Sequence, residues 1–155
     1  MEDKTNSAAP NDQQEFYTMN GYQKKTAGLL TPAMEDYLEM ICRLCCQKPV
    51  VRLHDIAEHL HVKPSSASRM IGHLKKAGLV KAARYGCIGL TANGKEAGDY
   101  LLYRHAVVLR FLCLLNDSED MLEQTEKIEH FLDPLTISNL ARLTDKMASA
   151  APSGE

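Results

Sequence analysis

Apolar residues recur at helical spacing over most of the chain after residue 30. Thr31 and Pro32 supply an N-cap and a favourable first helical residue, so we predict a helix that begins there and ends near residue 47. Two short helices are predicted next, over 53–60 and from 64 to a glycine near 78. Short helices joined by about three residues are typical of a helix-turn-helix.

The segments 79–83 and 87–91 predict two short strands, joined by a turn at Tyr85 and Gly86. A hairpin that follows a helix-turn-helix in this way is typical of a wing. We therefore predict a mainly α fold that contains a winged helix-turn-helix.

Further helices are predicted after the wing. Thr91 can cap a long helix that ends near residue 115, and Ser118 can cap an acidic helix that ends near residue 132. Asp133 and Pro134 favour the start of a last helix that ends near residue 147. The wing is therefore followed by a purely helical region.

Both ends of the chain are expected to lie outside the folded part. Residues 1–28 are polar with little apolar periodicity, which predicts a mostly disordered extension, and 149–155 are expected to form a flexible tail. No apolar run approaches the ~18–20 residues that span a bilayer. The N-terminus lacks a basic start followed by an apolar stretch. We therefore expect neither a membrane protein nor a secretory signal.

Charge is unevenly distributed, although the formal net charge is only −2. No acidic residue occurs between Glu58 and Glu96, and this stretch contains seven basic residues: Lys63, Arg69, Lys75, Lys76, Lys81, Arg84 and Lys95. Residues 117–133 contain seven acidic residues and one basic residue, Lys127. The first stretch suits a polyanion and the second suits cations.

The helix that begins at Pro64 has a small, hydroxyl-rich first turn that could approach DNA closely. Its free N–H groups suit phosphate, and Arg69 could donate two hydrogen bonds to a guanine. Serine-rich first turns also occur in ordinary helical proteins, so the motif gains weight only beside the basic stretch and the wing. The candidate DNA-binding residues are Lys63, Ser65, Ser66, Ser68, Arg69, Lys75, Lys81, Arg84 and Tyr85.

The chain contains five cysteines, an odd number that does not favour a disulfide framework and fits a reducing cytoplasm. Cys42, Cys45 and Cys46 share one predicted helix and could suggest a soft metal or redox site. We favour packing on a helix face, because no second cysteine pair exists to complete a zinc site.

Carboxylates and histidines recur at helical spacing on three of the predicted helices. They are Asp36 and Glu39 on the first helix, His105 on the long helix, and Glu126, Glu129 and His130 on the acidic helix. Taken singly, each group has an ordinary explanation. Glu39 could pair with Arg43, His105 could be a core histidine, and the residues of the acidic helix could form a solvated face.

Short motifs distributed over about residues 29–147 resemble the manganese transport regulators of the diphtheria-toxin-repressor family of metal-dependent repressors. The motifs occur in the family's order: Leu-Thr-Pro-Ala-Met-Glu-Asp-Tyr-Leu-Glu at 30–39, Asp-Ile-Ala at 55–57, Val-Lys-Pro-Ser-Ser at 62–66, Leu-Thr at 90–91, Tyr-Arg-His at 103–105 and Ile-Glu-His at 128–130. The resemblance implies a DNA-binding domain over 29–98 and a helical metal-binding and dimerisation domain over 99–148.

The resemblance also implies a metal site between the first helix, the long helix and the dimerisation domain. Its ligand positions are Asp36, Glu39, His105, Glu126, Glu129 and His130. Asp36 is typical of the manganese branch, because iron-responsive relatives have a thioether there. Those relatives also carry a third, SH3-like domain, for which this chain is expected to be too short. Phe131 follows His130, where some relatives have a second histidine. Four carboxylates and two imidazoles suit Mn²⁺ or Fe²⁺, and their formal charge of −4 would balance two divalent ions.

We therefore expect a cytoplasmic, homodimeric, Mn²⁺-activated repressor that binds palindromic double-stranded operator DNA and controls manganese uptake genes. Two Mn²⁺ ions per subunit are expected, with no membrane partner, no small-molecule substrate and no enzymatic activity. An Fe²⁺-responsive repressor of the same family is the alternative. A dinuclear metallohydrolase is less favoured, since nothing in the sequence points to a substrate cleft. A metal-independent winged-helix regulator, in which the acidic helix is only surface, is also less favoured.

Overall fold

The structure, a computed structural model, describes residues 30–82 and 84–150. The expected N-terminal extension over 1–28 lies outside the described residues, as do residues 151–155 of the expected tail. Within the described residues, every helix is too short or too polar to cross a membrane.

The first part of the chain forms a winged helix-turn-helix, as the sequence predicts. Its helices are α1 (Pro32–Gln47), α2 (Leu53–His59) and α3 (Pro64–Lys76). Its strands are β1 (Val51–Arg52), β2 (Val80–Ala82) and β3 (Cys87–Leu90), and they form an antiparallel sheet in the order β1-β3-β2. A short 3₁₀ turn, Arg84–Gly86, joins β2 to β3 at the tip of the wing.

The second part is helical. It contains α4 (Ala92–Asn116), α5 (Leu122–Ile128), a 3₁₀ turn (Glu129–Phe131) and α6 (Pro134–Ala150). The helix α6 extends past the predicted end near residue 147 to Ala150. At its start, the Asp133 side chain accepts a hydrogen bond from the Thr136 N–H at 2.7 Å, which confirms the predicted cap.

The predicted cap at Ser118 is wrong. Its hydroxyl accepts a hydrogen bond only from the nearby Asp120 N–H, at 3.2 Å, and α5 begins later, after Met121. The physical reason is packing, because Met121 must reach the apolar cluster between α4 and α6, whose buried members are Val107, Val108, Leu112 and Ile137. The segment before Met121 carries the chain from the end of α4 to this apolar cluster, and it is not helical.

The wing and α4 are tied together at Thr91. Its hydroxyl donates a hydrogen bond to the Gly78 carbonyl at 2.6 Å and accepts one from the Gly94 N–H at 3.0 Å. A Cβ at Gly94 would lie 1.8 Å from the Leu79 carbonyl oxygen, so only glycine permits this close approach. The start of α4 is therefore fixed to the residues that follow α3.

Close packing also sets α1 against α4. Cys42 is 2% exposed, and its Sγ would lie 3.1 Å from a Cβ placed on Gly98. Burial, and then the nearby Asp99 carboxylate, raise the pKa of the Cys42 thiol to about 11. Cys42 therefore acts as a packing residue, and it holds the side chains of α1 beside those of α4.

Candidate metal centre and nucleic-acid interface

All six carboxylate and histidine residues predicted as metal ligands lie in two neighbouring clusters. The first cluster is Asp36, Glu126 and His130, and the second cluster is Glu39, His105 and Glu129. In each cluster, one ligand atom per residue lies within 4.8 Å of the others. The side chains come from α1, α4, α5 and the 3₁₀ turn after α5, so tertiary packing alone brings them together.

The first cluster is centred on the imidazole of His130. Its Nε2 lies 3.0 Å from Oδ1 of Asp36, and its Nδ1 lies 2.7 Å from Oε2 of Glu35. Asp36 and then Glu35 raise the pKa of His130 to about 10, because both carboxylates favour the charged imidazole. The side chains of Asp36 and Glu126 are 43% and 49% exposed, so this cluster faces solvent on one side.

The second cluster surrounds Nδ1 of His105. This atom lies 3.2 Å from Oε2 of Glu129, 3.5 Å from Oε1 of Glu126 and 3.8 Å from Oε1 of Glu39. Glu129 is fully buried and its hydrogen bond raises the pKa of His105. Since Glu126 approaches His105 as well as belonging to the first cluster, it connects the two clusters.

Negative charge is concentrated in the two clusters, which contain four carboxylates. Burial raises the pKa of Glu126, and the neighbouring carboxylates of Glu129, Glu39 and Asp36 raise it further. Buried carboxylates are costly unless they are paired or bind a metal. Oxygen and imidazole donors without thiolates form a hard-to-borderline set. The residues present therefore fit a divalent cation such as Mn²⁺ or Fe²⁺.

Glu35 and Arg104 belong to the surroundings of the site but were not predicted. Arg104 is 3% exposed, and its guanidinium lies 2.6 Å from Oε2 of Glu35 and 3.1 Å from Nδ1 of His130. Burial opposes ionisation of Glu35, but His130 and Arg104 outweigh it and lower the pKa of this carboxyl. Together they orient the His130 ring. Both residues occur in the motifs that carry the family resemblance, directly before Asp36 and His105.

A surface pocket gives access to both clusters. It lies between α1, α2, α4 and α5, and its lining residues are Asp36, Glu39, Met40, Arg43, His59, Leu60, His105, Leu122 and Glu126. Arg43 pairs with Glu39 at 2.5 Å, so the ordinary explanation offered for Glu39 from the sequence is also realised. The pocket therefore contains acidic donors and one guanidinium.

The helix α3 presents its polar side to solvent. Ala67, Ile71 and Leu74 are buried, whereas the polar residues predicted to contact DNA are exposed. Lys63, at the N-cap, makes no capping hydrogen bond with its side chain. The first turn of α3 and Arg69 are thus available to a ligand from outside.

The wing extends the same kind of surface. Lys81 is exposed on β2 opposite Gly89 of β3. Tyr85 is 90% exposed at the tip and has a φ of 59°, in the left-handed region. The exposed residues predicted to bind DNA are Lys63, Ser65, Ser66, Ser68, Arg69, Lys75, Lys81 and Tyr85, while the side chain of Arg84 lies outside what the structure describes.

Two family models match consecutive parts of the chain. The model described as "Iron dependent repressor, N-terminal DNA binding domain" matches residues 29–88. The model described as "Iron dependent repressor, metal binding and dimerisation domain" matches residues 91–154. Together they include every residue of the two clusters and of α3, and all of the wing except the last two residues of β3, Gly89 and Leu90.

Curated relatives agree with this assignment. The chain is 38% identical over 116 residues to the HTH-type transcriptional regulator MntR of Bacillus subtilis (strain 168), which covers 74% of this chain and 82% of that protein. It is 39% identical over 114 residues to the regulator of the same name from Geobacillus thermodenitrificans (strain NG80-2), covering 73% of this chain and 81% of the relative.

Solved structures show the same fold. The IdeR protein of T. acidophilum matches with a TM-score of 0.65 and 26% identity, over 72% of this chain and 53% of that one. The manganese regulator SloR matches with a TM-score of 0.67 and 24% identity, over 75% and 55%. The chain thus spans about half the length of these two proteins.

These matches answer the question of function class that the site geometry leaves open. Clusters of acids and histidines also occur in metallohydrolases, but the matching families and curated relatives are transcriptional regulators. The chain therefore belongs to the iron dependent repressor family, and it is a metal-dependent transcriptional regulator and not an enzyme.

Proposed function

We propose that the chain is a Mn²⁺-activated repressor of manganese uptake genes. One observation carries the proposal: six donors from both parts of the fold converge in two connected clusters. Asp36 and Glu39 come from α1 of the winged helix-turn-helix, whereas Glu126 and Glu129 come from the region of α5. A cation held by both groups would link DNA binding to metal concentration.

Two ions per subunit are proposed, one for each cluster. Asp36, Glu126 and His130 would hold the first, and Glu39, His105 and Glu129 the second. The oxygen-rich donor set favours Mn²⁺ over softer metals, and the curated relatives carry the name MntR. When bound, the cations supply positive charge that neutralises the gathered carboxylates.

The chain's own residues convert that neutralisation into a fixed geometry. While like charges face each other, Glu126 and Glu129 repel Glu39 and Asp36, and the arrangement of α1 against α5 is unfavourable. Once these charges are balanced, Arg104 and Glu35 hold His130 in place, and α1 stays against α4. The active arrangement is thus selected from those that the protein already samples.

We further propose that residues 29–98 form the DNA-binding domain and that residues 99–148 form the metal-binding and dimerisation domain. The DNA contacts are assigned to the first turn of α3, to Arg69, and to the wing at Lys81, Arg84 and Tyr85. A two-fold symmetric pair of recognition helices would engage palindromic DNA when they lie about one turn, ~34 Å, apart.

The proposed homodimer uses the exposed apolar residues of the helical part. Five large apolar side chains on α4, the 3₁₀ turn and α6 are 41–71% exposed, which is typical of an interface. They are Leu114, Leu115, Phe131, Leu135 and Leu143. Leu115 lies one residue before the end of α4 and is 58% exposed. We assign this surface to a second copy of the chain, because the dimerisation family model covers it.

We also propose a cytoplasmic location. All five cysteines are free thiols, which fits a reducing compartment, and the proposed partner is double-stranded DNA. No small-molecule substrate and no membrane partner are proposed.

The deciding experiment measures binding of the full chain to the DNA segment upstream of its own coding sequence. Fluorescence anisotropy is recorded with Mn²⁺, with Fe²⁺ under anaerobic conditions, with Mg²⁺, and with a chelator. We expect tight binding with Mn²⁺ and little binding with Mg²⁺ or chelator. Equal affinity with chelator would overturn metal activation, and a response to Fe²⁺ alone would favour the iron-responsive alternative.

A further inference from the structure

Arg43 occupies a distinctive place in the pocket that leads to the two clusters. It lies one turn after Glu39 on α1, and it lines the pocket together with Asp36 and His105. Its Nε and one terminal nitrogen donate to the same atom, Oε1 of Glu39, at 3.1 and 2.5 Å. The side chain of Glu39 is 8% exposed and that of Arg43 is 39% exposed.

The oxygen that Arg43 holds is also the oxygen that faces the second cluster. Oε1 of Glu39 lies 3.8 Å from Nδ1 of His105. Charge-assisted hydrogen bonds occupy the lone pairs that a metal would need. The guanidinium also places a permanent positive charge beside that oxygen, because arginine does not lose its proton in proteins.

We propose, on the basis of the proposed metal site, that Arg43 sets the metal affinity of the second cluster. It does so by competing with the divalent cation for Oε1 of Glu39. The side chain is partly exposed, so it can move into solvent when the oxygen is released. Arg43 thereby raises the Mn²⁺ concentration at which the regulator responds. The pairing is a property of this chain's residues at positions 39 and 43, and it needs no additional ligand.

The test measures Mn²⁺ affinity directly, by competition with a fluorescent chelator in the absence of DNA. We expect Arg43→Gln to bind Mn²⁺ about tenfold more tightly than the unaltered chain, since it removes the competing charge. Arg43→Lys keeps the charge, and we expect its affinity within about threefold of the unaltered chain. Thermal unfolding without metal should change little for either variant, because a partly exposed pair stabilises weakly.

Arg110→Gln provides the matched control. Arg110 pairs with Asp145 of α6 at 2.6 Å, away from the residues that line the pocket, and its loss changes the net charge equally. We expect its Mn²⁺ affinity to remain unchanged.

Two results would overturn the role of Arg43: an Arg43→Gln affinity equal to or weaker than that of the unaltered chain, or an equal gain in Arg110→Gln. If the unaltered chain bound no Mn²⁺, the proposed metal site itself would be refuted, and this inference with it. A failure of the role of Arg43 is therefore distinguishable from a failure of the proposed metal site.

Discussion

The proposed DNA-recognition surface and the proposed metal centre are constructed in opposite ways. The recognition surface comes from the nearly continuous stretch 63–85, and its described polar side chains project into solvent. The metal centre takes its side chains from α1, α4, α5 and a 3₁₀ turn, and several of them are buried against each other. The recognition surface is a set of separate side chains, whereas the side chains of the metal centre share neighbours.

This difference predicts two kinds of response to substitution. Sites that share no partners usually contribute additively, whereas groups in one charged network do not. The loss of one DNA-contacting side chain should therefore weaken binding by a limited step. The loss of one glutamate from each cluster should remove the response to metal altogether, whereas the exchange of a single ligand should weaken it and change its selectivity.

The largest effect is expected for Glu126→Ala combined with Glu129→Ala. Metal bound to the folded chain at 100 times its Kd stabilises it by about 2.7 kcal/mol, and the double variant should lose this gain completely. The measurement is the melting temperature with and without Mn²⁺, with light scattering to confirm a folded dimer. Glu119→Ala with Glu123→Ala removes two exposed acids as a control and should keep the full gain. A full Mn²⁺-dependent rise in the Glu126 and Glu129 variant would refute the assigned clusters.

The next effect is expected on the recognition surface. Arg69→Ala should cost about 1–3 kcal/mol of operator affinity and relax base preference at one position, if Arg69 binds a base edge. Competition against operators with single base changes measures both quantities. Unchanged affinity would show that Arg69 does not contact the bases of the operator.

A smaller but more specific effect is expected for Asp36→Met. This change removes one oxygen donor from the first cluster and the partner of His130 Nε2. We expect Mn²⁺ affinity to fall about tenfold, and Fe²⁺ or Co²⁺ affinity to fall less, because Mn²⁺ gains least from a soft ligand. DNA binding titrated with each metal under anaerobic conditions tests the ranking. An unchanged ranking would mean that selectivity depends on other residues.

The smallest effect is expected for Lys81→Ala on the wing. Its loss should weaken binding to all DNA sequences alike, by less than about tenfold, and reduce the slope of log affinity against log salt by about one. Combined with Arg69→Ala, the two losses should add. A combined loss far from the sum would show that the recognition surface acts as one unit, as the metal centre does.

The recognition surface was more predictable than the metal centre because it depends on local pattern. The start of α3 at Pro64 and its end before Gly78 were predicted from the proline and the glycine, and the wing was predicted from two short strands around Tyr85 and Gly86. Helical periodicity and turn residues are properties of neighbouring positions, so one sequence is enough to detect them.

The metal centre depends on contacts between distant positions, which periodicity does not report. His105, Glu39 and Glu129 each had an ordinary local explanation, and only the family resemblance suggested that they meet. The alternative of a solvated face is wrong for Glu129, which is 0% exposed. The reason is that α5 ends at Ile128 and the chain tightens into a 3₁₀ turn, so a regular helix places Glu129 incorrectly.

The hydrogen bonds of Thr91 to Gly78 and Gly94 attach the start of α4 to the residues that follow α3, so the two must move together. His105 lies about halfway along this 25-residue helix. At 1.5 Å per residue, the arm from His105 to Gly94 is roughly 16 Å long, so a tilt of ~5° moves its end by ~1.4 Å. Two-fold symmetry would apply that displacement once in each copy. In the proposed dimer, a change of a few degrees beside the clusters would therefore alter the distance between the two recognition helices.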